Sequence, residues 1–400
     1  MYELESIHSA GISTLCQRNK FSAKLRTHCV RNFSWHQRDY TFIVTIYNRG
    51  FDVSQIKIIA VNNILPALHE YSKSGGEFIY SPIASSVAQI KFYQERFTEV
   101  KQIVSTARLE INKIWPEDKN HLIFSWDAWN EKDNFNTSIA ENAQNRLFDN
   151  IDFSAPDSFS GFRKLAEEKL PIYFYDALDP NPFDADLKKR IQHYFYDTNC
   201  PSTYFETRNG MINVDDSSRF SPSLACGALD VKYLYNEIKN YEKRNGANKS
   251  TYWLVFELLW REFFYWHYQN WQRKYFSLNG INGPDNYTEF EVYNIASLKQ
   301  MSPHKFWQSA LKELKQTGFQ TNRTRQLFAS FWIHELGLEW RSGAKLFEDH
   351  LIDYDVYSNW GNWMYIAGVG VDARGGRKFN IESQIKRYNP KGEYYAKWAD

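Results

Sequence analysis

Acids, an amide and an indole crowd into one short stretch of this chain, LIDYDVYSNWGNWMYIAG, running from Leu351 to Gly368. Asp353 and Asp355 lie two apart, Asn359 follows four residues after Asp355, and Trp363 four after that. An ordinary amphipathic helix has no need of this order. Spacing alone puts Asn359 and Trp363 one helical turn apart. Beyond filling a core, aromatic rings stack on bases or flat cofactors or pass electrons.

Three further segments carry residue types of similar potential. In DDSSRFSPSLACG, Ser217, Ser218, Arg219, Phe220 and Ser221 precede a helix expected to begin near Ser221-Pro222. Backbone N–H groups at a helix start, nearby hydroxyls and the Arg219 charge together suit a phosphate. A plain Ser-Pro helix cap accounts for the same letters. In TGFQTNRTRQLFASFW, Asn322, Arg323 and Arg325 stand ahead of an apolar helical run. Two arginines there are either a solvated surface or, if buried, in need of partners such as Asp353 and Asp355. In STYWLVFELLWREFFYWHYQNWQRKYF, Glu257, Trp260, Arg261 and Phe264 recur at spacings of three and four, so they share a face. That face lines a pocket or packs as core with a salt bridge. Trp340 and Trp363 lie before and within the opening stretch, and no spacing in sequence shows an electron relay.

These segments need elements to position them. Up to about residue 145, short β-branched runs (FIVTIY, IKIIAV, EFIYSP, HLIFSW) alternate with helical stretches, which predicts an α/β layer with a largely parallel sheet. No glycine-rich phosphate loop follows any of these runs. The polar segment Asn130 to Arg146 reads as a surface connection, dividing the chain into 1–145 and 146–400. Beyond it helices follow one another. Ser250 is the expected cap of the long aromatic helix. For SPHKFWQSALKELKQTG the expected cap is Ser302, with Pro303 at the first helical position and Gly318 as the stop.

Composition narrows the classes. The formal net charge of +1 over 400 residues gives no global excess for nucleic acid, though a local basic groove stays open. Cys16, Cys29, Cys200 and Cys226 form no CxxC pair and no metal-ligand spacing, so unpaired thiols in a reducing compartment and no metal are expected. No apolar run of about 18 residues exists and the N-terminus lacks a signal-peptide core, which predicts a soluble, cytoplasmic protein.

Taken together, the strings TYFETRNGM, SSRFSPSLACGAL, STYWLVFELLWREFF, TGFQTNRTRQLFASF, LGLEWRSGAKLFEDHLIDYDVYSNWGNW and RKFNI resemble the helical FAD-binding domain of the DNA photolyase and cryptochrome family, with the DASH branch as the nearest pattern. The resemblance runs from about Arg146 to Asp400. It implies a large all-helical domain that binds FAD in a folded, U-shaped form. By position it gives Ser217, Ser218, Arg219, Phe220 and Ser221 to the phosphates and Tyr204 to the cofactor. Asn322 and Arg325 fall beside the cofactor with Arg325 paired to Asp353, Asp355 falls near the ribose, and Asn359 faces the reactive flavin nitrogen. Arg261 joins the cofactor set. Glu257 and Trp260, with Asn322 and Asn359, match the residues that act on a flipped cyclobutane pyrimidine dimer.

The implied reaction is light-driven electron transfer from reduced flavin, with Arg208, Trp260, Arg323, Tyr365, Arg374, Arg377 and Lys378 facing DNA, preferably single-stranded. The implied alternative is a blue-light photoreceptor that binds FAD without repair. Gln326 stands where (6-4) photolyases carry histidine, and the long tail of sensory cryptochromes is not expected; a monomer is. Two departures mark the pattern. The antenna-domain run like RNDLRLHDNPAL has no counterpart, so the resemblance gives no support for an antenna folate. In the electron relay, Trp363 and Trp340 match the proximal and middle tryptophans, whereas Tyr287 falls at the distal position.

Overall fold

The computed structural model describes residues 145–148, 158–170, 174, 185–226, 228–371 and 375–399, together with two strands. Strands β1 (Lys57–Ala60) and β2 (Glu77–Tyr80) pair in parallel, with Ile58 opposite Phe78 and Ile59 opposite Ile79. They fall within IKIIAV and EFIYSP, two of the runs expected to be strands, and the parallel sense is the expected one. FIVTIY, HLIFSW and the rest of the α/β reading lie outside the described residues. The two strands belong to one unit of the chain and the residues from Asn145 onward to a second.

The second unit is helical. Its elements are α1 (Phe159–Lys169), α2 (Ala185–Gln192) continued by a π turn (His193–Asp197), α3 (Cys200–Thr207), α4 (Ser221–Cys226), α5 (Val231–Asn245), α6 (Lys249–Trp271), α7 (Ile295–Met301), α8 (Lys305–Thr317), α9 (Asn322–His334), α10 (Trp340–His350), α11 (Val356–Ala367), α12 (Ile381–Tyr388) and α13 (Glu393–Trp398). Helix α6 is the long aromatic segment. Leu254, Val255, Leu258, Leu259, Phe263 and Phe264 are all buried. Helices α1, α3, α5 and α11 pack on it, as its near-continuous apolar circumference requires.

Two expected helix starts are corrected. Asn248, not Ser250, caps α6: its Oδ1 accepts from the N–H of Ser250 at 2.8 Å and of Thr251 at 3.0 Å. Ser250 is fully enclosed and ties α3 to α6, accepting from Phe205 N–H at 3.0 Å and donating to Glu206 at 3.0 Å. Helix α8 begins at Lys305 with the His304 imidazole as its cap, while Ser302 closes the preceding α7. A cap needs extended backbone and an acceptor aimed at the first free amides, and more than one residue in each string qualified. Gly318 does end α8, in the left-handed conformation.

Glycines set two helix contacts around the site. A Cβ on Gly343 of α10 would meet the Trp363 indole, and one on Gly361 of α11 would meet the Phe264 ring of α6. Their absent side chains let α10, α11 and α6 approach closely.

Candidate functional site

A cleft is lined by residues from α3, α9, α10 and α11, the loop before α4, the turn before α9 and the turn between α10 and α11. Asp353 sits in that last turn. Its carboxylate takes Arg325 Nη2 at 2.8 Å on both oxygens and the Ser221 hydroxyl at 2.6 Å on Oδ2. The Arg325 Nε donates to Gln320 O at 2.9 Å, so the guanidinium is fixed at two points. The expected Arg325–Asp353 pair is therefore present, and it links α9, α4 and the turn before α11. With 2 % of its side chain exposed, Asp353 depends on these partners for compensation of its charge.

Asp355 opens α11. Its carboxylate accepts the Ser358 hydroxyl at 2.7 Å and lies 4.0 Å from Arg146. One turn on, Asn359 is buried, and its Nδ2 donates to Ala344 O of α10 at 2.9 Å. That bond orients the carboxamide and leaves Oδ1 as the atom it can offer to the cleft. Trp363, a turn further, also lines the cleft and is hemmed by Phe328, Trp332 and Phe347 at ring-centroid distances of 6.5, 6.0 and 5.2 Å.

A further part of the lining is the loop before α4. Ser217, Ser218, Arg219, Phe220 and Ser221 all line the cleft. Arg219 has φ of 60°, the one non-glycine residue with positive φ among the described residues. Such a conformation costs an L-residue about 1–2 kcal/mol, so surrounding contacts must enforce it. The Arg219 guanidinium lies over Phe319 at 4.5 Å. Tyr204 and Asn322 line the same cleft; burial pushes the Tyr204 phenol well up, keeping it a hydrogen-bond donor. The donor set suits an elongated ligand. Hydroxyls and a cation stand at one wall for an anionic part, and an amide with apolar Phe347 and Ile366 stands at another for a flat heteroaromatic part.

Glu257 and Trp260 are not among the residues lining this cleft. Glu257 pairs with Arg208 at 2.5 Å, and Arg208 does line it. Burial pushes the Glu257 carboxyl up while the Arg208 guanidinium pulls it down. Trp260 lies flat on Phe159 of α1, with centroids 3.7 Å apart and planes 7° from parallel, and meets Tyr365 nearly edge-on at 6.1 Å. Arg261 is not among the residues lining the cleft; it donates to Asn145 O at 2.6 Å and lies 3.6 Å from the fully buried Glu262. It secures the chain's entry into the helical unit, which same-face spacing with Glu257 did not reveal.

Of the residues expected to face DNA, several are held by protein partners. Arg208 turns to Glu257 and lies over Trp253 at 5.1 Å. Arg323 donates to Asn209 at 2.6 Å and lies over Tyr388 at 4.5 Å, and Arg377 donates to the Tyr365 hydroxyl. Lys378 is exposed, 3.5 Å from Glu335. Arg374 lies outside the described residues.

In the expected relay, the ring partner of Trp340 among the described residues is Trp360, at 5.8 Å and near-perpendicular. Trp360 in turn donates to Glu348 at 3.2 Å. Tyr287 carries the Arg273 guanidinium over its ring at 4.7 Å.

Sequence reasoning missed Asn145, Arg146 and Arg190. The first two fall in the segment expected to be a polar surface connection, yet both are buried. Asn145 donates to Leu224 O and Leu229 O and accepts from Val231 N–H. Arg146 is sandwiched between Tyr265 at 4.1 Å and Tyr357 at 4.9 Å. No local signal separates a buried arginine from a surface one. Arg190 lies 25 residues before the loop whose Asp215 it contacts, so proximity in sequence gave no hint.

Residues 304–400 match the family model described as the FAD binding domain of DNA photolyase. A cryptochrome DASH of Vibrio parahaemolyticus is 39 % identical over 289 residues, 65 % of this chain and 65 % of that one. One of Danio rerio is 46 % identical over 282 residues, 61 % of this chain and 54 % of that one. The chain thus spans less than two thirds of the length of these relatives. A solved Synechocystis cryptochrome aligns with TM-score 0.62 and 28 % identity, covering 83 % of this chain and 84 % of that one. A class III photolyase of Agrobacterium tumefaciens shares the fold at TM-score 0.59 and 18 % identity, over 88 % of this chain and 87 % of that one. Matching strings, cleft chemistry and fold agree: this chain is similar to the DNA photolyase and cryptochrome family, and its cofactor is FAD.

Proposed function

We propose that this chain uses blue light to repair cyclobutane pyrimidine dimers in DNA, preferably single-stranded. The observation that carries the reading is the packing of α11, with Asn359 buried on the cleft, directly on α6, where Glu257 and Trp260 remain partly exposed. When bound and fully reduced, the flavin supplies one electron to the dimer under blue light and takes it back after the ring splits.

The chain's own residues do the rest. Ser217 to Ser221, Tyr204, Asn322, Arg325, Asp353 and Asp355 hold the cofactor. Asn359, fixed through Ala344 O, presents its amide to the flavin edge. Trp260 and Tyr365, their rings near-perpendicular, form a corner in which an extruded base can stand. Glu257 offers its carboxyl to the pyrimidine edge once Arg208 releases it. A single strand costs less to flip because no pairing is broken. Lys378, with Arg323, Arg374 and Arg377, would meet phosphates at the rim. We place the protein in the cytoplasm as a monomer; among the described residues no helix is long and apolar enough to cross a membrane.

A second reading, an FAD-binding photoreceptor without repair, is favoured by one observation. Both lesion-facing residues already have partners, Glu257 in Arg208 and Trp260 in Phe159. Incubating reduced protein with dimer-containing single-stranded DNA, in light and in darkness, separates the two. Dimer loss in light alone supports repair. Bound, photoreducible FAD with dimers intact supports the photoreceptor. Glu257→Ala and Asn359→Ala should each lower repair with FAD retained, and normal repair by both would overturn the assignment of these sites.

A further inference from the structure

One guanidinium outside the cleft holds the acceptor side of the phosphate loop. Arg190, near the end of α2, donates from Nε to Ser218 O at 2.9 Å. Its Nη2 donates to Ser217 O at 2.8 Å and Val214 O at 3.3 Å. Its Nη1 reaches Asp215 Oδ1 at 2.5 Å. The Thr207 hydroxyl takes a further carbonyl, Asp216 O, at 3.1 Å. Every carbonyl from Val214 to Ser218 other than that of Asp215 is thus engaged by a side-chain donor.

The amides behave in the opposite way. Among the described residues, the N–H groups of Ser217, Ser218 and Arg219 have no acceptor within the chain. All three residues line the cleft, whereas Arg190 does not. A run of successive free amides beside a left-handed residue forms a concave anion site, and Arg219 at φ of 60° supplies that residue. The clamp is itself braced. His193, first residue of the π turn, sits 3.1 Å from Asp215 Oδ2, and Arg190 and His193 together hold the Asp215 carboxyl below its ordinary range.

We propose that Arg190 is a positioning residue that sets the phosphate selectivity of the cleft, by fixing the carbonyls of Val214, Ser217 and Ser218 so that the adjoining amides are left for a pyrophosphate. The inference rests on the FAD assignment but goes beyond it, since it names which part of the ligand the clamp serves. A guanidinium is suited to this because its planar fork serves several acceptors at once, which an ammonium does not. Arg190 touches no ligand, so its effect should follow the ligand's phosphates and not its flavin ring.

The test titrates apoprotein with FAD and with riboflavin, which has the flavin but no phosphate. Arg190→Ala should raise the FAD dissociation constant about ten- to a hundredfold and change that of riboflavin by less than about threefold. Arg190→Lys keeps the charge without the fork and should fall between wild type and Arg190→Ala; it serves as the reading if the alanine variant does not fold. Amide exchange in residues 214–219 should quicken in either variant relative to wild-type apoprotein. Equal weakening of both ligands would make Arg190 a general staple and overturn the proposal, as would unchanged FAD binding. A wild-type chain that binds FAD no better than riboflavin would instead overturn the assignment of the phosphate loop.

Discussion

Gly343→Ala tests the packing that places the indole beside the cofactor. The Cβ it adds would lie 2.9 Å from Trp363 Cζ2, with Cζ3 and Cη2 closer still. Ordinary carbon contacts begin near 3.4 Å, so the ring must move by on the order of 1 Å. Phe328, Trp332 and Phe347 surround Trp363 edge-on, and the free direction is the cleft it lines. Overpacking against a rigid, buried ring costs about 3 kcal/mol, while replacing a mid-helix glycine by alanine returns about 1 kcal/mol. The net expectation is a loss of about 2 kcal/mol, or roughly 4–8 °C in Tm for a unit of this size. Denaturant unfolding of the apoprotein measures the loss, and titration with FAD measures intrusion into the cleft. Gly361→Ala is the control: its Cβ meets Phe264 instead, so it should cost similar stability with a smaller effect on FAD. A Gly343→Ala protein as stable as wild type, with unchanged FAD affinity, would refute the packing argument.

Asp353→Ala leaves Arg325 without its carboxylate and should cost about 2–3 kcal/mol, below the range for fully buried pairs because Arg325 is partly exposed. Denaturant unfolding reads that loss, and FAD content of the purified protein should fall with it. Two buried groups give opposing pH dependences. Burial pushes His267 down to about 4, so below its ordinary 6.5 the unfolded chain binds the extra proton and stability falls as pH falls, by about 2 kcal/mol at pH 5. Burial pushes Glu313 up to about 7, so the folded chain binds the extra proton between about 4.5 and 7 and stability falls as pH rises. The two slopes partly cancel in wild type between pH 5 and 6.5. His267→Gln should leave stability falling with rising pH, and Glu313→Gln should leave it rising; unfolding midpoints of both variants across that window check the signs. In the relay, if Tyr287 is the terminal donor, Tyr287→Phe should shorten the radical lifetime after a flash on oxidised protein; an unchanged long-lived tryptophanyl signal would exclude Tyr287.

The sequence by itself determined the helical character after Asn145, because long apolar segments at helical spacing can be satisfied only by burial on other helices. It also held the crowd of Asp353, Asp355, Asn359 and Trp363, since a turn followed by one helix keeps residues near in sequence near in space. That an arginine entering the apolar run would need an acid such as Asp353 or Asp355 if buried was legible in the residues, whereas the particular Arg325–Asp353 pair was implied by the resemblance. Tertiary structure alone decided the partners of long side chains. Arg208 turned to Glu257, Arg261 to Asn145 and Arg323 to Asn209, because a guanidinium reaches across neighbouring elements and goes where desolvated acceptors lie. The same holds for Arg190, whose importance comes from carbonyls 24 to 28 residues away. Which backbone groups a loop leaves free depends on which of its others are already engaged, and that depends on contacts brought together by the fold.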